Sequence, residues 1–282
     1  MSQAQILVLG AIAGLTIFIG LPVGRIGALP AAASAFLTAT ATGILLFLLW
    51  DVLSAGVEPV EAALTAAAVD HSGSWSRFAG LAALLAAGFV AGLMSLVYFD
   101  ELIARRRRRA GPQSVGAAIA VEEVRSARIL TPAQSLSLMI ATGIGLHNFS
   151  EGLAIGQSAA AGELSLALVL IIGFGLHNAT EGFGIVGPFA GSQHRPSWGF
   201  LLLAGLIGGG PTFFGTLIGQ AWVSEPLSVA FLALAAGSIL YVVIELLDVC
   251  RRLGRKRLVA WGIVLGLTLG FATDFVLVAA GA

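Results

Sequence analysis

The sequence predicts an all-α integral membrane protein of eight transmembrane helices with both termini outside, and three observations lead there. Of 282 residues 57% are hydrophobic and only 11% charged, and mean hydropathy is +0.95. That is too little charge to cover a soluble domain of this length. The apolar residues lie in unalternating runs of about 20, the length that spans a hydrocarbon core as a helix. The basic residues gather in alternate loops, which orients the chain. Formal net charge is zero, so overall charge names no partner, and the single cysteine, Cys250, excludes an internal disulfide framework or thiolate metal cluster,.

The runs fall at about 6–23, 31–50, 78–99, 136–159, 164–189, 200–220, 227–247 and 258–279, making residues 1–282 one transmembrane domain. The first is expected to be a retained span, because Met1–Gln5 carries no basic residue and no small-residue cleavage site follows,. Two connections are long, 51–77 and 100–131. Arg25, the block Arg105–Arg109, Arg125, Arg128, Arg195, Arg251, Arg252, Arg255, Lys256 and Arg257 sit in alternate loops and make up 14 of the 15 Lys and Arg residues. Only Arg77 lies in the other set, beside Asp51, Glu58, Glu61, Asp70, Glu163 and Glu225. The basic side is cytoplasmic. The five-arginine run reads as a topogenic signal before a flexible Arg-rich cytoplasmic loop, 100–131; an anionic-lipid or nucleic-acid patch is the alternative, and no nucleic-acid partner is expected. The outer loop with Glu58, Glu61, Asp70 and His71 reads as solvated, the alternative being that it concentrates cations.

The fourth run contains Gly143-Ile-Gly-Leu-His147-Asn148-Phe-Ser-Glu151-Gly152-Leu-Ala-Ile155. The fifth contains Gly173-Phe-Gly-Leu-His177-Asn178-Ala-Thr-Glu181-Gly182-Phe-Gly-Ile185, identical at eight of 13 positions at an offset of 30. In each copy His and Glu stand four apart, one helical turn above each other on one face, while Asn is turned about 100° away and flanks it. Polar groups in mid-span are costly and mark a pathway or a site. Two adjacent helices can bring His147, Glu151, His177 and Glu181 to one point, and imidazole with carboxylate suits Zn²⁺ and other first-row divalent ions. Such an ion neutralises two carboxylates that otherwise repel, which couples metal occupancy to proton binding. Interhelical hydrogen-bonding glue is the plainer account, but glue needs no net negative charge. Glycines on both sides of each motif allow close helix approach.

The doubled His-Asn-x-x-Glu-Gly in spans four and five of eight resembles the ZIP (Zrt-, Irt-like) metal transporters, above all the bacterial ZupT- or GufA-like branch. The resemblance covers most of the chain in topology and is motif-specific in spans four and five, with weaker support from Glu245 in span seven. It implies uptake of zinc, or of iron, manganese, cadmium or cobalt, across the bacterial cytoplasmic membrane by alternating access. It also implies inverted three-helix repeats around the central pair and a homodimer. His147, Glu151, His177 and Glu181 would be the main metal ligands and Asn148 and Asn178 secondary ones. The metal is cargo, and no cofactor or catalytic residue is expected.

Two positions depart from the family. The proline before each Glu is replaced by Ser150 and Thr180, which can bond the carbonyl four residues back and bend a helix gently. In span six the Glu of Glu-Pro-Leu-Gly is replaced by Gly210, before Pro211, so a full two-metal site is in doubt. Asp274 either lines an entrance or bonds a neighbouring helix, and Glu245 serves the pathway or a buried pair. His71 and His194 are expected to be solvated, and Trp50, Trp75, Trp198, Trp222 and Trp261 to mark span ends. Two other classes stand beside transport: a metal sensor or scaffold that does not transport, and an intramembrane metalloenzyme. The second would need a metal-bound water and a separate base, and no His-Glu-x-x-His or comparable pairing is present,.

Overall fold

The computed structural model describes residues 2–26, 30–109, 130–160, 164–189, 195–221 and 224–280, apart from the side chains at 31, 103, 106–109, 164–166, 169–170, 176–177, 277 and 280. Every regular element among them is helical: α1 Gln3–Leu15, α2 Ile17–Gly20, a 3₁₀ turn Leu21–Arg25, α3 Ala31–Ala68, α4 Trp75–Arg109, α5 Pro132–Ala160, α6 Leu164–Val186, a 3₁₀ turn Gly187–Phe189, α7 Trp198–Ala221, α8 Glu225–Arg252 and α9 Lys256–Ala280. Among the described residues six stretches are long and apolar enough to cross a membrane: Gln3–Arg25, Ala32–Ala68, Trp75–Leu102, Trp198–Ala221, Glu225–Arg252 and Lys256–Val276. The length and composition of these helices are those of a multi-pass membrane protein. The repeat-bearing α5 and α6 are not among the six; in α5 the polar side chains of the repeat lower the mean hydropathy.

The first predicted span is segmented. A capping box starts α1, with Ser2 N–H donating to Gln5 Oε1 at 2.8 Å and Gln5 N–H to Ser2 Oγ at 3.3 Å,. The helix breaks at Thr16, whose hydroxyl lies 2.7 Å from the Ala13 carbonyl and 2.6 Å from the Gly175 carbonyl, donating to one at a time. Arg25 then ties the following turn to the start of α7, donating to the Pro196 carbonyl at 2.5 Å and lying 4.8 Å over the Trp198 ring.

Two predicted loops are corrected. Residues 51–68 continue α3, through Pro59, because Val52, Gly56, Val60, Ala63 and Ala67 recur at helical spacing and are buried,. Val60 and Ala63 pack with Leu81 of α4 and Val229 of α8. Asp51, Glu58 and Glu61 are therefore helical, Asp70 and His71 lie in the turn beyond, and Trp50, placed near a span end by the sequence, is a mid-helix residue packed on Phe47 and Phe271. The loop expected at 100–131 begins as helix, since α4 runs on through the five arginines to Arg109. Its remainder, with Arg125 and Arg128, lies outside the described residues, as do Glu163, His194 and Trp222.

Glycine contacts hold the helices that position the motif. A Cβ at Gly145, Gly152 or Gly156 of α5 would run into the carbonyls of Ile207, Thr212 and Thr216 of α7. One at Gly215 or Gly219 of α7 would meet those of Phe149 and Leu153 in return. Backbone-to-backbone packing of this kind is how apolar helices associate where lipid removes the hydrophobic driving force. Toward the Pro132 end of α5 the bundle is solid: Ile140, Ile144, Leu45, Leu48, Ile185 and Leu246 belong to one buried apolar cluster.

Candidate metal centre

Helical spacing puts His147 and Glu151 on one face of α5, and the contact follows directly: His147 Nε2 lies 3.0 Å from Glu151 Oε1,. From α6, Glu181 Oε1 comes within 4.0 Å of the same nitrogen. Asn148 joins the helices, its Nδ2 donating to Glu181 Oε2 at 3.3 Å and to the Gly208 carbonyl of α7 at 2.9 Å. All four are buried, with His147 3%, Asn148 0%, Glu151 5% and Glu181 1% exposed. Four of the six sequence-predicted residues thus meet at one place.

The other two differ. Asn178 is fully buried but turned to α1, where its Nδ2 donates to the Ala13 carbonyl at the helix break, at 3.1 Å. The backbone of His177 belongs to α6, while its side chain lies outside the described residues. Among the described residues no group of three or more His, Cys, Asp or Glu is arranged to hold a metal ion. His147 and Glu151 face each other as a pair, so an ion entering between them has to part that contact. Two oxygens beside the pair stay open to one: Glu151 Oε2 and Asn148 Oδ1 are buried and meet no donor among the described residues,.

A cavity gives access to the centre. It holds about 430 Å³ and reaches down to His147 and Glu151, past Ser150 and Gln157 of α5 and Asp51 and Glu58 of α3. The α5 residues among these lie at and beyond the motif in the direction of Ala160, and the wall is completed by Val52 and Leu232, which also pack in or on the apolar cluster. Asp51 is the residue that sequence reasoning missed, because it follows the apolar run 31–50 and looked like the first residue of a loop. The available signal was the continued helical spacing after it.

The remaining residues separate. Ser150 donates to the Leu146 carbonyl at 3.4 Å, as expected of a serine in the proline position, and α5 and α6 run unbroken through Ser150 and Thr180. Gly210 turns away from the site. A Cβ there meets nothing within 4 Å, and the residue shares an outward stripe of α7 with the exposed Leu203, Leu206, Phe214 and Leu217. The part of α7 that touches the motif is the Gly208 carbonyl. Asp274 of α9 lies near Asp51, whereas Glu245 of α8 neighbours Asp100 and Asp248 near the basic end of that helix. Asp248 itself pairs with Arg251 and Arg252. With this geometry in hand, the chain matches no family model and no curated protein.

Proposed function

We propose that the chain is a transporter of the ZIP kind, carrying a divalent cation, zinc first among them, from outside into the cytoplasm. The observation that carries the reading is the meeting of His147, Glu151 and Glu181, two acids and an imidazole from the two repeat copies, with His147 and Glu151 lining a cavity and Glu181 behind them. Paired buried carboxylates beside a histidine are costly in a membrane interior and are kept where a cation passes or binds. A buried site reached through a cavity, with apolar packing around it, suits alternating access,.

The finer architecture belongs to the same proposal: eight spans, with α5 and α6 as the fourth and fifth, both termini outside, and a homodimer in the bacterial cytoplasmic membrane. Matching contacts support an inverted relation between the first three and last three spans. Exchanging the two sets turns the α4–α8 packing into that of α9 on α3, and both pairs are extensive. The motif asparagines follow the same exchange, Asn148 holding the first helix of the last set and Asn178 the first helix of the first.

Uptake of radioactive zinc into proteoliposomes tests the proposal. Wild type is expected to accumulate the ion, and Glu151→Ala and Glu181→Ala to fall to the level of empty liposomes. Equal uptake by all three would remove these residues from the pathway. Binding without uptake in wild type would favour the non-transporting sensor.

A further inference from the structure

Asp51 is hard to account for as structure. It sits half-buried in the middle of α3, between the apolar pairs Leu49-Trp50 and Val52-Leu53, and makes no hydrogen bond or ion pair among the described residues. Of the charges near it, that of His147 favours the carboxylate while those of Glu151 and Asp274 oppose it, and a group so costly at that depth marks a pathway. Its helix position and that of Glu58 differ by seven residues, two turns, so both lie on one face, about 10 Å apart along the axis. That face lines the cavity which ends at His147 and Glu151. Glu58 is exposed at the outer end, Asp51 is intermediate, and Glu151 is 5% exposed at the floor, with its Oε2 meeting no donor among the described residues.

We propose that Asp51 and Glu58 form an acidic vestibule that draws divalent cations from the outer phase to Glu151 and His147. The two carboxylates are too far apart to share one ion, so they act as successive stations on the way to the floor. A cleft lined by one sign of charge between low-dielectric walls focuses the field and raises the local cation concentration by roughly 10- to 1,000-fold. Asp274, close enough to Asp51 for their charges to interact, adds to the same potential. The inference rests on the transport reading for its purpose, though the vestibule's charge can be measured without transport.

The experiment uses a single cysteine as a probe. In a Cys250→Ala background, Ala55→Cys places a thiol on the cavity wall between Asp51 and Glu58, and Ser72→Cys gives a control in the exposed turn after α3. Labelling in proteoliposomes with a cationic and an anionic methanethiosulfonate gives a rate ratio at each site. The ratio at position 55 is expected to exceed that at position 72 by roughly tenfold or more, and to fall toward it in Asp51→Asn and in Glu58→Gln. Because Glu58 is exposed, its variant stays informative should Asp51→Asn fail to fold. A ratio equal to the control, or one unchanged by both neutralisations, overturns the vestibule. The same variants should raise the half-saturating zinc concentration for uptake. A preserved ratio in a protein without uptake would support the vestibule and defeat the transport reading. Uptake with no charge preference at position 55 would do the reverse.

Discussion

The two copies of the motif share eight of 13 residues and are put to different uses. In α5, Asn148 reaches across to Glu181 and to the Gly208 carbonyl, so it binds the two motif helices and α7 together. In α6, Asn178 reaches the Ala13 carbonyl and holds the break in α1. Glu151 lines the cavity, whereas Glu181 lies behind it, 1% exposed. The difference comes from the helix each copy meets: an unbroken α7 on one side, a segmented α1 on the other. A repeated motif therefore fixes which groups are available, and the packing partner decides what each does.

Substituting the asparagines should separate the copies most strongly. Asn148→Ala removes a group that positions Glu181, and loss of such an outer contact lowers metal affinity by roughly 10- to 100-fold. Asn178→Ala removes an interhelical hydrogen bond of about 0.6 kcal/mol, and the Ala13 carbonyl keeps Thr16 as a donor. It should therefore lower heat resistance in detergent slightly and leave zinc affinity within about threefold. Titration calorimetry on both variants checks the contrast, and equal losses would mean that the two asparagines are equivalent.

The glycines give a second contrast at equivalent positions of the repeat. A methyl group at Gly145 would collide with the Ile207 carbonyl, whereas at Gly175 the nearest neighbour outside its own helix is Thr16 Cγ2 at 3.6 Å, an ordinary contact. Gly145→Ala should cost about 1–3 kcal/mol through overpacking, and Gly175→Ala should stay within about 0.5 kcal/mol. Thermal inactivation half-lives in detergent would show the first shortened and the second near wild type. Smallest of all is Ser150→Ala. Its bond to the Leu146 carbonyl is 3.4 Å long, at the edge of hydrogen-bond range,, so a change within about 0.5 kcal/mol is expected from the same assay.

The contrast also explains what could be read from the sequence. Helical periodicity and polar groups in apolar runs made the long helices and the meeting of His147, Glu151 and Glu181 legible, because these depend on spacing along one or two helices. The targets of the asparagines were not legible, since the Gly208 and Ala13 carbonyls are backbone groups brought near by packing. Asp51 escaped for another reason. A run-length view of hydropathy ends the span at Trp50, while the burial of Val52, Val60, Ala63 and Ala67 carries α3 about five turns further,. Gly210 was placed by analogy, and the outward stripe of α7 turns it away from the motif.

The central claim is that the two copies converge on one cation, and zinc titration of the purified protein with Glu151→Ala, Glu181→Ala and the double variant tests it most directly. If both carboxylates serve one ion, each single change removes most of the binding and the double change adds little, the non-additivity expected of groups that act as a unit. Losses that simply add, or a single variant that keeps wild-type affinity and stoichiometry, would mean that the copies serve separate ends.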